Sequence, residues 1–234
     1  MNKICTTIAT EDLDKLKYQI DKAFAWGSDY VEIRFDFLKL SDMSHALKIV
    51  EEFKTNAIFT IRSPEQEGKF KGSHSDRITW LKKISAIEPM LLDIELKTIK
   101  ENDDLADYLE DQKTPLLVSW HNFEETPENT ELTEMITEMR IYSNNIKVVT
   151  TAKTGQDALR ILDLYENANG LNLVAFAMGD SGILSRILCT IYGNAPFTYA
   201  SLEKAVVPGQ LTVKQIRKIY DKINVWSEIY AKPS

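Results

Sequence analysis

The feature that most constrains the fold is a regular alternation of short apolar runs with amphipathic segments along the whole chain. The apolar runs, rich in β-branched and aromatic residues, cover positions 4–9, 30–37, 57–61, 90–96, 115–120, 146–151, 173–178 and 197–201. The amphipathic segments have apolar residues at helical spacing and cover positions 11–25, 44–53, 76–87, 102–112, 129–142, 155–167, 183–192 and 212–223. Thr212 and Gln215, three residues apart, indicate a capping box at the start of the last helix. The pattern predicts eight strand–helix units.

Most of these strands lack a polar/apolar alternation, which is typical of parallel strands that are buried on both faces. Eight such units in 234 residues match a (β/α)8 TIM barrel. A doubly wound sheet uses the same alternation and remains an alternative at this stage. No Pro/Gly/Ser-rich linker or change of composition divides the chain. We therefore expect a single catalytic domain over residues 1–234.

Composition and charge exclude several classes of function. The net charge of −7 argues against a nucleic-acid-binding surface, which would be basic. No stretch approaches the roughly 18 consecutive apolar residues of a membrane span, and the N-terminus enters a strand without a signal-peptide segment. We expect a soluble cytoplasmic protein. Cys5 and Cys189 form neither a disulfide framework nor a Cys/His metal cluster, so small buried hydrophobic residues are the better interpretation.

Charged and titratable side chains recur where the predicted strands end. In a barrel these ends meet on one face and form the active site. A plainer interpretation is a set of buried ion pairs that braces the barrel. It suits Asp36 and Asp93, but it does not readily explain why charged residues recur at the ends of so many strands. The side chains in question are Glu32, Arg34, Asp36, Arg62, Asp93, Glu95, His121, Lys147, Met178 and Arg186.

Lys147 lies between apolar neighbours inside a predicted strand. A free lysine, with a pKa near 10.4, is neutral in only about one molecule in 2500 at pH 7. Burial and neighbouring cations such as Arg34 or Arg186 would lower that pKa and release a nucleophilic amine. A strand-edge lysine that extends to solvent is an equally good interpretation from the residues alone.

His121 ends the run 115–120 and is the candidate for proton transfer at neutral pH. A lone histidine in such a place is more often a structural hydrogen-bond donor. His45 and His74 lie beside charged residues in helical or loop contexts, and we expect both on the surface.

An anion site and two lids are predicted from the loops. Residues 179–182 precede a helix whose free N–H groups can bind an anion, and Arg186 lies one turn inside that helix, where it can clamp a carboxylate. Segments 208–210 and 68–72 are flexible enough to fold over a barrel mouth. Ordinary connecting loops are the alternative for both.

Seven groups of residues, in this order, closely resemble the motifs of the type I 3-dehydroquinate dehydratase family, over nearly the whole chain. Each motif is weak alone, but seven in register are highly specific. They are Glu32-x-Arg34-x-Asp36, Thr60-x-Arg62-Ser63, Asp93-x-Glu95, Ser119-x-His121-Asn122-Phe123-x-x-Thr126-Pro127, Ile146-Lys147-Val148, Met178-Gly179-x-x-Gly182-x-x-Ser185-Arg186 and Pro208-Gly209-Gln210.

This resemblance implies a (β/α)8 barrel, commonly a homodimer, that needs no metal or organic cofactor. It would convert 3-dehydroquinate to 3-dehydroshikimate and water by syn elimination, a step of the shikimate pathway towards chorismate and the aromatic amino acids. Lys147 would form an imine with the C3 ketone, and His121 would move the protons. Arg186 would bind the substrate carboxylate. The residues expected to bind ring hydroxyls and order the lid are Glu32, Arg34, Arg62 and Gln210, with Met178 and Tyr199 as apolar walls.

The sequence departs from the family pattern in two places. The family often has a glutamate followed by two glycines after the third strand, whereas this chain has Gln66, Glu67 and Gly68. Either Gln66 or Glu67 would then support the histidine. Val206 stands where many relatives have a serine that contacts substrate, and the loss of one such hydrogen bond costs on the order of 1 kcal/mol.

Two other functions compete with this one. A class I aldolase is also a barrel with an imine lysine, but Arg186 and segment 208–210 favour a carboxylate over a phosphate. A non-catalytic metabolite-binding barrel would have lost the lysine or the histidine, and this chain retains both.

Overall fold

A computed structural model describes residues 2–230, and for residues 225–230 it describes only the backbone. Eight parallel strands form one sheet in the order β7-β6-β5-β4-β3-β2-β1-β8. This is the (β/α)8 barrel that the alternation predicted. The strands are β1 (Ile4–Ile8), β2 (Tyr30–Arg34), β3 (Ala57–Thr60), β4 (Leu91–Glu95), β5 (Leu116–His121), β6 (Asn145–Thr151), β7 (Asn172–Met178) and β8 (Thr198–Ser201).

The helices cover the outside of this sheet. Thr212 and Gln215 form the predicted capping box, because the hydroxyl of Thr212 accepts from the Gln215 N–H at 3.3 Å and the Thr212 N–H donates to the Gln215 amide oxygen at 2.8 Å. The helices are α1 (Leu13–Ala25), α2 (Met43–Val50), α3 (His74–Ser85), α4 (Leu96–Lys100), α5 (Asp103–Asp111), α6 (Asn129–Met139), α7 (Gly155–Asp163), α8 (Ile183–Ile191) and α9 (Val213–Tyr230).

Three of the boundaries that differ from the sequence prediction change the type of structure at that place. The second strand ends at Arg34, and residues 35–37 form a 3-10 turn because the Asp36 side chain takes up N–H groups from neighbouring loops. A short helix, α4, starts directly after β4, where the predicted strand ran to residue 96. The predicted helix 155–167 ends as a 3-10 turn over Leu164–Asn167.

The barrel interior has an apolar floor beneath a polar layer. The floor consists of buried side chains that point inward from the strands, among them Cys5, Ile58, Leu117, Val174 and Phe176. The intervening strand residues point outward and pack under the helices in the main hydrophobic core. Both cysteines are fully buried and unpaired, as predicted. The polar layer lies at the carboxyl ends of the strands and contains the site.

Side chains close the barrel where the ladder does not. Within the described strands, β7 and β8 are not joined by backbone hydrogen bonds. The ring centroids of Phe176 and Tyr199 lie 6.1 Å apart across this gap. The hydroxyl of Tyr165 accepts from the N–H of Ala175 at 2.7 Å and donates to its carbonyl at 3.0 Å. The free edge of β7 therefore has a partner, which a buried backbone group requires.

We predict that Tyr165→Phe lowers the free energy of unfolding by about 1–3 kcal/mol, because two backbone groups of Ala175 lose their partner. Urea denaturation followed by circular dichroism measures this. The control is Tyr192→Phe, at the residue directly after α8, whose side chain is exposed. Equal stability of the two variants would show that the free edge of β7 does not depend on the Tyr165 hydroxyl.

Candidate active site

One pocket of about 540 Å³ opens at the carboxyl ends of the strands, a size typical of small-molecule sites. Both predicted lid segments reach it, through Gly68 and Lys69 on one side and Gln210 on the other. All seven predicted site residues line this one pocket: Glu32, Arg34, Arg62, His121, Lys147, Arg186 and Gln210.

Lys147 points into the barrel and is only 4 % exposed. Its Nζ donates to Asp93 Oδ2 at 2.6 Å and lies 3.4 Å from Glu32 Oε1 and from the Tyr199 hydroxyl. These partners lie on strands that are not neighbours of β6, so the contacts cross the interior. The interpretation of a strand-edge lysine extending to solvent is therefore wrong.

The charges nearest to Lys147 differ from those expected. The sequence suggested Arg34 or Arg186 as neighbours, but the closest charged atoms belong to Asp93 and Glu32. Burial alone would raise the pKa of Asp93, yet the charges of Arg62 and Lys147 outweigh burial and hold that pKa well below its ordinary value. Lys147 thus has a carboxylate beside it that stays ionised and pairs with its ammonium group.

Arg62 braces this carboxylate from the other side. Its Nη2 donates to both oxygens of Asp93 at 2.9 Å, and its Nη1 donates to Ser119 Oγ at 2.8 Å. Burial would lower the pKa of Arg62, but Asp93 and Glu95 raise it well above the ordinary value. Arg77 of α3, which the sequence did not single out, pairs with Glu95 at 2.9 Å. The structural ion-pair interpretation is correct for this part of the site.

Asp36 connects the second strand to the loop after the third. It accepts two hydrogen bonds from Arg34 at 2.8 Å. It also accepts from the backbone N–H groups of Arg62 at 3.3 Å and Lys69 at 3.0 Å. Since Asp36 is fully buried, it determines both the direction of the Arg34 guanidinium and the position of the loop.

His121 ends β5 and lies two residues beyond Ser119, which is paired in register with Lys147. Side chains two apart on a strand share a face, so the imidazole and the amine belong to the same side of the sheet. The ring of His121 stacks on Phe123 with 5.7 Å between centroids. Desolvation first, and then the positive charges of Arg62 and Lys147, hold the pKa of His121 well below its ordinary value.

The structure selects Gln66 rather than Glu67 as the support of this histidine. Gln66 Oε1 lies 2.9 Å from His121 Nδ1. Glu67 takes a left-handed backbone conformation, with φ of 58°, and its side chain is exposed at the pocket rim. The alternative that the sequence left open is resolved in favour of the amide.

Arg186 is a buried cation that pairs with no carboxylate of the described residues. It is 1 % exposed, and its Nε and Nη2 atoms have no hydrogen-bond partner among the described residues. The guanidinium lies 4.4 Å from the centre of the Phe176 ring. Desolvation lowers the pKa of Arg186 to about 10. Two free donors that line a pocket are suited to an anionic ligand.

The predicted lid segment 208–210 rests on the turn at residues 179–182. The Gly179 N–H donates to the Pro208 carbonyl at 3.2 Å, and a Cβ on Gly209 would lie 2.3 Å from the Gly179 oxygen, so only glycine fits there. The side chain of Gln210 accepts from the Val206 N–H at 2.9 Å. In this conformation the amide oxygen of Gln210 holds the lid together.

Several residues of the site were missed from the sequence. Phe123 and Phe176 support His121 and Arg186, and Thr7 donates to Glu32 at 3.1 Å. Alternation within a strand could have identified Phe176 and Thr7. Each lies two positions from a residue that faces the interior, Val174 and Cys5 respectively, and side chains two apart share a face. His45 and His74 are exposed, as expected.

Comparison with known proteins gives consistent results. The family model described as type I 3-dehydroquinase matches residues 4–226. The 3-dehydroquinate dehydratase of Thermococcus onnurineus is 34% identical over 87% of this chain and 92% of its own length. The 3-dehydroquinate dehydratase of Pyrococcus abyssi is 35% identical over 88% of this chain and 93% of its own length.

Solved structures show the same fold. The 3-dehydroquinate dehydratase of Geobacillus kaustophilus has a TM-score of 0.86 at 24% identity and covers 97% of this chain and 93% of its own. That of Aquifex aeolicus has a TM-score of 0.78 at 27% identity, with coverages of 94% and 98%. The first likeness supports the barrel alone, because its identity is low.

We predict that Arg186→Met raises the free energy of unfolding of the unliganded protein by about 1–3 kcal/mol, because a buried and unpaired charge is removed. The pKa of Arg186 is depressed in the folded state, so the penalty is complete below pH about 10 and fades above it. Urea denaturation at pH 7 measures the gain. Arg62→Met is the matched comparison and should destabilise the protein, because that guanidinium is fully paired. A loss of stability in Arg186→Met would contradict the prediction.

Proposed function

Because the chain belongs to the type I 3-dehydroquinase family and is a hydro-lyase that dehydrates 3-dehydroquinate, we propose that Lys147 and His121 carry out this reaction through an imine. The observation that supports these roles is the meeting of three groups in one pocket. They are the buried amine of Lys147, the imidazole of His121 and the unpartnered guanidinium of Arg186. Amine, base and carboxylate clamp are the groups that an imine elimination on a keto acid requires.

The reaction begins with the transfer of a proton from Lys147. The substrate displaces the ion pair between Lys147 Nζ and Asp93, which lie 2.6 Å apart, and the ammonium proton passes to solvent water. The free amine adds to the C3 carbonyl of 3-dehydroquinate, and loss of water from the carbinolamine gives a protonated imine. The positive imine nitrogen withdraws electrons from C2, so the adjacent C–H becomes acidic.

His121 then completes the elimination. Its neutral imidazole removes a proton from C2, and the electron pair forms the C1–C2 double bond as the C1 hydroxyl leaves. The resulting imidazolium donates its proton to that hydroxyl, so one water is released by syn elimination. Hydrolysis of the imine returns the Lys147 amine and gives 3-dehydroshikimate.

The remaining residues bind the substrate. Arg186 holds the C1 carboxylate through its two free donors. Glu32, Arg34 and Arg62 face the pocket and contact the ring hydroxyls. Gln210 reaches the substrate once its bond to the Val206 N–H opens, which couples binding to lid order. Met178 and Tyr199 form apolar walls of the pocket.

The same proposal covers the whole chain. Residues 1–234 form one catalytic domain, although Met1 and residues 231–234 lie outside the described residues. We expect a cytoplasmic homodimer that uses no cofactor and binds neither nucleic acid nor membrane. Exposed apolar side chains on α7 (Leu159), on α8 (Leu184) and directly after α8 (Tyr192) support an assembled state. No described helix is long and apolar enough to cross a bilayer.

We predict that borohydride with 3-dehydroquinate attaches the substrate covalently to Lys147, because reduction converts the imine into a stable secondary amine. Peptide mass mapping identifies the modified residue. Lys147→Ala should abolish both the adduct and turnover, whereas Lys153→Ala, an exposed lysine, should keep both. An adduct that persists in Lys147→Ala would contradict the assignment.

For His121→Ala we expect slow adduct formation to continue while turnover falls by about 10²–10⁴-fold, the usual contribution of a general base. Absorbance of the conjugated product measures turnover, and borohydride trapping measures the imine. His74→Ala, at an exposed histidine, is the control. Turnover within a few fold of the unmodified protein would remove His121 from the catalytic role.

A further inference from the structure

We propose that Phe176 is the positioning residue of Arg186: the face of its ring holds the buried guanidinium at the pocket, while donors on the guanidinium edge stay free for a carboxylate. The guanidinium carbon lies over the ring, 4.4 Å from its centre. Nε and Nη2 of Arg186 have no hydrogen-bond partner among the described residues. Both side chains line the pocket. The inference rests on the proposed role of Arg186 as the carboxylate clamp.

A guanidinium has two kinds of surface, and they suit different partners. Its N–H groups point outward in the plane of the group, whereas its flat face can stack on an aromatic ring. A carboxylate or carbonyl partner occupies the edge, but an aromatic face attracts the cation through the ring quadrupole and uses none of the donors. Arg62 shows the other arrangement, because Asp93 and Ser119 accept hydrogen bonds from its edge. Of these two guanidinium groups, Arg186 is the one that keeps donors for a ligand.

The ring of Phe176 is held firmly, which a positioning role requires. It is buried on β7, where Phe176 is paired in register with Val149 of β6. On the other side its centroid lies 6.1 Å from that of Tyr199 on β8. Tyr199 in turn packs edge-on against Phe197, with 5.6 Å between centroids. Rotation of the Phe176 ring would open a void in this close-packed cluster, so the face under Arg186 is fixed.

The backbone of Arg186 is fixed as well. Its carbonyl accepts hydrogen bonds from Thr198 Oγ1 at 2.5 Å and from Cys189 Sγ at 3.2 Å. Thr198 lies on β8, so this bond ties α8 to the strand beside the gap in the sheet. The freedom that remains is that of the Arg186 side-chain torsions, and the contact with Phe176 limits it.

The contact has a consequence for carboxylate affinity. Desolvation lowers the pKa of Arg186 to about 10, so the group is still a cation at pH 7. Without the ring, such a buried cation would turn towards water or a carbonyl oxygen, because an unpartnered charge is costly. Apparent affinity falls in proportion to the fraction of molecules that hold the binding conformation. Loss of an aromatic face at a desolvated site corresponds to a roughly threefold to thirtyfold change.

The first test replaces Phe176 by phenylalanine with one, two or three ring fluorines, each of which weakens the negative face of the ring at almost constant volume. Urea denaturation of the unliganded protein measures stability. The loss of stability should grow with each fluorine, and it should be much smaller in an Arg186→Met background, because the cation is gone. Equal losses in the two backgrounds would show that the ring only packs, and would overturn the inference.

The second test measures the affinities of quinate and quinamide by calorimetry. Quinate has a hydroxyl in place of the C3 ketone and cannot form an imine, and quinamide carries a neutral carboxamide in place of the carboxylate. Phe176→Leu and the trifluorinated ring should weaken quinate by roughly threefold to thirtyfold, and quinamide by at most about twofold. For 3-dehydroquinate, KM should rise with little change in kcat. Unchanged quinate affinity, or equal losses for both ligands, would overturn the inference.

Phe197→Leu is the matched control. Phe197 belongs to the same buried cluster, but Lys147 and Arg186 lie over the rings of Tyr199 and Phe176. This variant should keep the ratio of quinate to quinamide affinity.

Arg186→Met separates this inference from the proposed function. Loss of the preference for quinate in Arg186→Met, with full retention in the fluorinated series, would overturn the role of Phe176 alone. Retention of the preference in Arg186→Met would instead remove the proposed clamp, and with it the premise of the inference. Borohydride trapping on the unmodified protein tests the imine chemistry independently of both.

Discussion

The site depends on one buried carboxylate. Asp93 accepts hydrogen bonds from Arg62, Ser119 and Lys147, which reach it from three different strands or strand ends. A carboxylate so deeply buried remains ionised only because two cations face it, and the cations are held in place by the same bonds. Removal of Arg62 or Lys147 would leave part of the Asp93 charge uncompensated. The amine is thus presented to the pocket by the network that stabilises the polar layer of the barrel.

The distribution of charge explains how an acidic protein can bind an acid. The net charge of −7 is spread over an exposed surface, where salt screens it beyond about 10 Å. Inside the pocket, two nitrogen atoms of Arg186 have no hydrogen-bond partner in the part of the chain that the structure describes. Its two unused donors store an unfavourable desolvation energy that an incoming carboxylate would relieve. The same feature makes the unliganded protein less stable than it could be, which is common for residues kept for binding.

The sequence was sufficient for the barrel and for seven of the residues that line the pocket, but not for the pairing of their side chains. The alternation of apolar runs predicts the strands, and the strand ends predict which side chains meet. It does not reveal that Lys147 faces Asp93 and Glu32 instead of arginines, because contacts across a barrel depend on register and stagger. The support of His121 was equally open. Gln66 and Glu67 are adjacent in sequence, and only the left-handed turn at Glu67 decides between them.

The two halves of the site use charge in opposite ways. Around Lys147, the ionised carboxylate of Asp93 forms a strong bond that a substrate must displace. Around His121, the neutral amide of Gln66 and the flat face of Phe123 orient the ring without stabilising its cation. A base that must give up its proton again within the same turnover benefits from such an environment, because a strongly stabilised imidazolium would be a poor acid towards the departing hydroxyl. Orientation without charge compensation is therefore compatible with a group that both accepts and donates a proton.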